Sequence, residues 1–335
     1  MPFKLVVQQY SQDLVCEEDE TILEAALRTG HAFPFDCRSG VCGECKCALI
    51  SGRVEMKPYL DVALDEEERL QGFVLGCRSV PQSDCEVSLL DRDELPQAPY
   101  QEVHATVESV EHVTHDIAIV RMASLEKTAF KFAAGQYADV QFEGLPARSY
   151  SFANEPGSTT LEFHIRAVPG GAVSPHIYDN IKVGDRAAVR GPRGMAYLRK
   201  QHAGPVIFCA GGSGLAPIMS MVRAMHRDEA KTTAHIFFGV RSDEDIYLEK
   251  ELSLLLEAIG QSTPQIVLSA AHDATQRRRG FLADAIKRDI TSCIGMKAYL
   301  CGPPVMIETC RSALLELGLR REDCHADVFW TPPAA

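Results

Sequence analysis

The order of apolar and polar positions divides the chain into three stretches of different rhythm. Up to about residue 92, short alternating runs surround one helical segment. Thr21, Ile22, Leu23 and Glu24 have the form of a capping box, in which the Thr hydroxyl and the Glu carboxylate satisfy opposite orphan amides, and Gly30 stands where the helix would close. From 102 to 198, alternating runs at 104–108, 117–122, 136–142, 161–167 and 186–190 are separated by turns. That rhythm predicts antiparallel strands closing into a barrel. Beyond 205, continuous apolar runs (206–210, 235–240, 266–270, 298–301) alternate with helical segments (218–225, 248–259, 281–290, 306–317). Strands apolar on both faces and separated by helices predict a parallel sheet covered on both sides. Such sheets take ligands at the carboxyl ends of their strands.

The expected organisation is therefore multidomain, α+β followed by α/β: one domain over 1–92, a polar linker over 93–101 containing Pro96 and Pro99, a barrel over 102–200 and an α/β domain over 201–335. Across the chain, 34 Lys and Arg face 46 Asp and Glu, a formal net charge of −12. Nucleic-acid binding relies on a basic footprint, so that function class is disfavoured. The imbalance is local: residues 1–99 hold 9 basic and 19 acidic side chains. Acidic surface of this kind serves solubility, or steers association with a basic partner. The 12 cysteines would suggest disulfides in a small secreted domain, but the first residues lack the apolar stretch of an export signal. No run is apolar enough to span a bilayer. A reducing cytoplasm is expected, with cysteines reduced, catalytic or bound to metal, and a monomer that does not bind membranes.

Cys37, Cys42 and Cys45 follow a Cys-x4-Cys-x2-Cys pattern, with Cys77 further on. Gly40 and Gly43 between them let the loop wrap a cluster with its N–H groups aimed at sulfur. This is the spacing of plant-type [2Fe–2S] ligation, whereas a zinc ribbon would need two short Cys-x2-Cys knuckles. Cys47 and Cys85 compete for the fourth position. Cys77 is preferred because Gly76 beside it permits close approach. Cys16, Cys209, Cys293, Cys310 and Cys324 read as small buried hydrophobes. The segment from Asp36 to Cys45 resembles the cluster loop of plant-type ferredoxins, which implies a β-grasp fold for residues 1–90 and a cluster on Cys37, Cys42, Cys45 and Cys77.

Arg148, Ser149, Tyr150 and Ser151 open a strand and resemble the Arg-x-Tyr-Ser motif of the ferredoxin–NADP reductase superfamily. A guanidinium can clamp a pyrophosphate, a tyrosine ring can lie against a flavin, and a serine hydroxyl can address flavin N5. His164, Ile165 and Arg166 lead into Gly170, Gly171, Val173 and Ser174, where glycines admit phosphate oxygens and Ser174 is expected to cap the next helix. A Gly-Pro-x-Gly turn from Gly191 to Gly194 follows in the superfamily's order. Gly211, Gly212, Ser213 and Gly214, with Pro217 in the first helical turn, form a Gly-rich strand-to-helix turn suited to a pyrophosphate. It lacks the Gly-x-Gly-x-x-Gly fingerprint and matches the superfamily's own form. Cys301, Gly302 and Pro303 resemble the segment whose cysteine faces the nicotinamide. By the resemblance, Arg241, beside Asp243, Glu244 and Asp245, would lie where the adenosine ribose binds; Arg241 could attract a 2′-phosphate, whereas the acidic residues would repel one and favour NADH. The stretch from Asp327 through Phe329 and Trp330 resembles the terminal strand whose aromatic residue covers the flavin. The resemblance implies Ser151, Cys301 and Asp327 at the reacting centre.

The order of modules is similar to the NADH-dependent reductase components of multicomponent aromatic-ring oxygenases. It implies electron transfer from NADH through FAD to a [2Fe–2S] cluster, and on to a separate terminal oxygenase docking near the acidic first domain. Reductases of phenol- or methane-type di-iron hydroxylases, or of a nucleotide-sugar deoxygenation system, share the order and differ in the acceptor. A redox-sensing iron–sulfur protein is the reading from a different class. The oxygenated substrate would bind the partner and so is not written in this chain.

Overall fold

Thr21 caps the helix that its spacing to Glu24 predicts. In the computed structural model, which describes residues 2–90, 98–126, 128–270 and 275–329, Glu24 N–H donates to Thr21 Oγ1 at 3.3 Å and Thr21 N–H donates to Glu24 Oε2 at 2.9 Å. Gly30, at φ +77°, then turns the chain out of the helix. This helix lies in the first of two compact units, made of residues 1–100 with 192–195; the second comprises 101–191 with 196–335.

In the first unit the elements are β1 (Phe3–Val7), β2 (Leu14–Cys16), α1 (Ile22–Arg28), β3 (Lys46–Ser51), β4 (Val54–Met56), α2 (Glu66–Leu70), β5 (Phe73–Leu75), β6 (Ser79–Pro81) and β7 (Cys85–Leu89). Five strands form a sheet in the order β2-β1-β7-β3-β5, and β4 pairs with β6. β1 runs parallel to β7, and the other pairs are antiparallel. Ile22, Leu23, Ala25 and Ala26 of α1 are buried in one core with Leu5, Val7, Cys47, Leu75 and Val87 from the sheet. α2 has no apolar face and buries no residue. It rests instead on a second capping box between Asp65 and Glu68.

The second unit begins with β8 (Gln101–His112), β9 (Ile117–Ser124), β10 (Tyr137–Phe142), β11 (Arg148–Ser151), β12 (Thr160–Arg166), α3 (Ser174–Asn180) and β13 (Arg186–Arg193). The strands follow the order β11-β10-β13-β8-β9-β12. A bridge from Phe152 to Phe163 brings the two ends together, so the sheet curls into a barrel. Phe142, Phe152, Leu161, Phe163 and Ile165 fill its interior.

The remaining elements are β14 (Val206–Gly211), α4 (Leu215–Arg227), β15 (Ala234–Val240), α5 (Glu249–Ala258), β16 (Gln265–Leu268), β17 (Arg278–Arg279), α6 (Leu282–Asp289), β18 (Lys297–Gly302), α7 (Pro304–Glu316) and β19 (Cys324–Val328). They form an all-parallel sheet in the order β17-β16-β15-β14-β18-β19. Strand order reverses between β14 and β18, which opens a crevice at their carboxyl ends. One face packs on α4 and α5, the other on α6 and α7. The core under α4 also takes in Ile117, Ile119 and Ala134 of the barrel. Barrel and parallel sheet are thereby joined by shared apolar packing. Among the described residues, no helix is long and apolar enough to cross a membrane.

Candidate functional site

The cysteine loop is built to hold sulfur near negative charge. Cys37 Sγ accepts from the N–H groups of Ser39, Val41 and Cys42, each at 3.4 Å. Burial alone would raise this thiol, but these donors outweigh it and bring the pKa down to about 6. Arg38 and Gly40 adopt positive φ to present the donors. A methyl on Gly40 would lie 2.7 Å from Tyr59 Cβ, so the loop has room for glycine alone. Cys77 Sγ lies 3.2 Å from Cys45 Sγ. Within that pair the Cys77 thiol is the lower in pKa, through the hydrogen bond with Cys45 and then the N–H of Gly40. Cys42 is exposed. Of the rival cysteines, Cys47 is fully buried in the sheet core, where burial pushes its thiol to about 12, and Cys85 bonds the carbonyls of Arg53 and Ser83. Four thiols with inward backbone donors fit a [2Fe–2S] cluster on Cys37, Cys42, Cys45 and Cys77.

A second constellation gathers where the barrel meets the parallel sheet. Ser151, at the end of β11, donates from Oγ to Asp327 Oδ2 at 2.7 Å. Asp327 sits on β19 directly opposite Cys301 of β18. The three residues implied at the reacting centre thus converge although they come from distant parts of the chain. Cys301 is fully buried, which raises its thiol well above the ordinary value. Beside Ser151, the phenol oxygen of Tyr150 is buried without a partner among the described residues. Burial raises this phenol to about 12. An orphaned buried hydroxyl points to a missing polar ligand group, and a flavin beside Tyr150 and Ser151 fits it. Arg148 is exposed and makes no ion pair among the described residues, leaving its guanidinium available for phosphate. Ser149 instead donates to Asp139 Oδ1 at 2.8 Å.

The stretch from the end of β12 to α3 is more divided than its sequence implies. Arg166 binds Asp116 at 2.7 Å and reaches Gly212, whose added methyl would lie 3.7 Å from its guanidinium. His164 is enclosed between Glu162 and Tyr247. Ile165 and Val173 point into the barrel core. The side chains of these three residues are buried. Gly171 is exposed. Ser174 does not cap α3: Val173 occupies that position with no side-chain bond, and Ser174 Oγ accepts from Val168 N–H at 3.0 Å. The hydroxyl therefore closes the glycine loop instead.

At the crevice of the parallel sheet, glycine is sterically required. A methyl on Gly214 would fall 2.0 Å from the Cys301 carbonyl, and one on Gly211 would fall 2.6 Å from Met306 Sδ. Gly302, at φ +145°, crosses back against Gly211. The turn from β14 through Ser213 into α4 and the turn after β18 at Pro303 therefore frame one cradle, with Pro217 in the first turn of α4. A glycine-lined cradle at a helix start suits a dinucleotide pyrophosphate. Phe329 continues β19, its N–H bonding Gly302 O at 2.9 Å. Trp330 lies outside the described residues. Arg241 is exposed after β15, and Asp245 is turned inward to accept from Ser242.

When bound, a flavin takes two electrons as a hydride and gives them up singly to an iron–sulfur cluster. The residues described supply position: Ser151 and Tyr150 on the barrel side, and the cradle from Gly211 to Pro217 with Cys301 on the other.

Family models match in the same order: a 2Fe-2S iron-sulfur cluster binding domain over 5–82, an oxidoreductase FAD-binding domain over 104–197 and an oxidoreductase NAD-binding domain over 208–312. The chain is 36% identical over 331 residues to the ferredoxin–NAD(P)+ reductase component of naphthalene 1,2-dioxygenase/salicylate 5-hydroxylase systems from Ralstonia, covering 98% of each chain. It is 34% identical to a propane 2-monooxygenase reductase component from Mycolicibacterium smegmatis, covering 96% of this chain and 95% of that one. A crystal structure of a cytochrome P450 reductase from Amycolatopsis superposes with a TM-score of 0.82 at 32% identity, over 99% of this chain and 100% of the other. With both cofactor sites and the cluster loop in this order, the chain belongs to the reductase-component family of multicomponent oxygenases, iron–sulfur flavoproteins that move electrons from NAD(P)H by way of FAD to a [2Fe–2S] cluster.

Proposed function

We propose that this chain draws electrons from NADH and delivers them to the terminal oxygenase of an aromatic ring-hydroxylating system. The observation that carries the reading is the convergence of Ser151, Asp327 and Cys301 beside the orphaned Tyr150 hydroxyl, on the same chain as the four-cysteine loop. In this reading Cys37, Cys42, Cys45 and Cys77 hold the cluster; Arg148, Tyr150, Ser151 and Arg166 hold FAD, with Phe329 covering it. The turn from Gly211 to Pro217 and residues Cys301 to Pro303 hold the nicotinamide dinucleotide. NADH is favoured because Asp243 and Glu244 stand exposed after β15, where they repel a 2′-phosphate, and Arg277 nearby is already paired with Glu249 and Asp243.

The acceptor is proposed to dock on the cluster-side face of the first unit. Leu60 N–H bonds the Gly40 carbonyl, which places exposed Leu60, Asp61 and Val62 beside the loop that carries Val41 and Glu44. An apolar patch with an acidic rim suits a basic partner surface. The relative serving a propane monooxygenase favours a second reading, in which the acceptor is a di-iron hydroxylase. The test is reconstitution. The purified holoprotein should reduce a ring-hydroxylating dioxygenase with NADH, with a rate that falls as salt rises. Reduction of a di-iron hydroxylase alone would select the second reading, and NADPH preference would overturn the nucleotide assignment.

A further inference from the structure

β12 presents Leu161, Phe163 and Ile165 to the barrel core and the alternate row, Glu162, His164 and Arg166, to the nicotinamide-side elements. Within that row Glu162 and His164 belong to a buried polar network outside the proposed cofactor contacts, while Arg166 pairs with Asp116. Glu162, almost fully buried, accepts from Arg121 Nε at 2.7 Å through Oε2, and from Arg223 Nη1 of α4 at 2.6 Å through Oε1. His164 Nε2 lies 3.3 Å from the same Oε1, and its Nδ1 lies 3.0 Å from Tyr247 Oη, just before α5. A carboxylate can only accept, so neutral His164 carries its proton on Nε2 and takes the Tyr247 hydroxyl on Nδ1. Arg223 also donates to the Ala153 carbonyl at 2.8 Å and to Glu251 of α5. One turn earlier on α4, Ser220 donates to the Asn154 carbonyl at 2.7 Å.

These bonds are placed where position matters. Ala153 and Asn154 lie two and three residues past Ser151, so α4 is tied to the strand that carries the flavin-side hydroxyl. Arg223 lies eight residues past the start of α4, about 12 Å along its axis at ~1.5 Å per residue, and the Gly211–Gly214 turn opens that helix. The apolar contact around Ile117, Ile119 and Met219 is non-directional and permits small slips. A buried carboxylate shared by two guanidiniums does not permit them, because any displacement leaves a charge unpaired in a dry interface.

We propose that Glu162 and Arg223 form a latch that sets the register of α4 against the flavin strand, making both positioning residues for hydride transfer between nicotinamide and flavin. The proposal rests on assigning the dinucleotide to the turn before α4. Misplacement by about 1 Å costs as much as ~100-fold in rate.

The test uses full-length holoprotein carrying Glu162→Gln, Arg223→Gln, both together, or Arg223→Lys, each checked for FAD and iron content. Stopped-flow reduction by NADH, and by NADH deuterated at the transferred position, separates affinity from transfer. Expected are a tenfold or greater fall in the limiting rate of flavin reduction, an NADH affinity within threefold of the unmodified protein, and a changed deuterium isotope effect. The double variant should be no slower than the worse single one. Amide hydrogen exchange should quicken in 160–166 and 215–227. A limiting rate within twofold of the unmodified protein, or losses that multiply in the double variant, would overturn the latch. If Glu162→Gln does not accumulate as folded holoprotein, Arg223→Lys decides by the same criteria. Failure of the dinucleotide assignment reads out separately, as unchanged NADH affinity in Gly214→Ala.

Discussion

At Cys37 three backbone N–H groups converge on one sulfur, and the thiolate they favour is the form that binds iron. Placement favours Cys77 as the fourth ligand: its sulfur meets Cys45, while Cys47 is enclosed in the sheet. Cys77→Ser is therefore expected to lose most of the iron and the cluster absorbance while keeping FAD, read from metal analysis and the visible spectrum; full iron retention would reassign the ligand. Arg148, exposed and unengaged by a carboxylate among the described residues, is expected to hold phosphate. A charge-assisted hydrogen bond of about 1.5–3 kcal/mol makes Arg148→Ala weaken FAD binding roughly 10- to 100-fold in a flavin-release titration. Single residues in linear motifs were the most legible part of the chain, because chemistry and spacing lie close together. Glu162 and Arg223 were not legible: they stand 61 positions apart, and each reads alone as an ordinary surface charge.

Elements were readable where their signal is local and apolar. Thr21 with Glu24 announces α1, and removing the hydroxyl in Thr21→Ala should cost about 1 kcal/mol, seen as a lower denaturation midpoint. α2 escaped the reading because it buries no residue, so the period that marks a helix is missing; its only trace is the acid pair Asp65 and Glu68. Ser174 misled for a related reason. A serine at a predicted helix start is an ordinary cap, yet the loop before α3 needed its hydroxyl more, at Val168 N–H. The glycine turn before α4 shows how an element can be bound to its neighbour. The Cys301 carbonyl of β18 occupies the space a methyl would need at Gly214. Gly214→Ala should therefore destabilise by ~1–3 kcal/mol as the strands part, and should weaken NADH binding at least tenfold.

At the scale of the whole molecule, charge and packing both act where the barrel meets the parallel sheet. Burial would raise the Glu162 carboxyl, but the hydrogen bond from His164 and the charge of Arg223 hold it well below the carboxylate range. A depressed folded pKa means that the stabilisation is complete above the unfolded value of roughly 4.3 and is lost progressively as pH falls below it. The gap in melting temperature between unmodified protein and Glu162→Gln should then be constant from about pH 6 to 8 and narrow as pH falls from about 4; a gap that does not narrow would contradict this. The core that takes Ile117, Ile119 and Ala134 together with Leu215, Ile218 and Met219 has a different consequence. Cut at residue 200, a barrel fragment would leave those side chains in water, whereas the first unit keeps Leu5, Ile22, Leu75 and Val87 in a core of its own. The barrel and the parallel sheet therefore share one core that neither keeps alone. They can be inherited only as a pair.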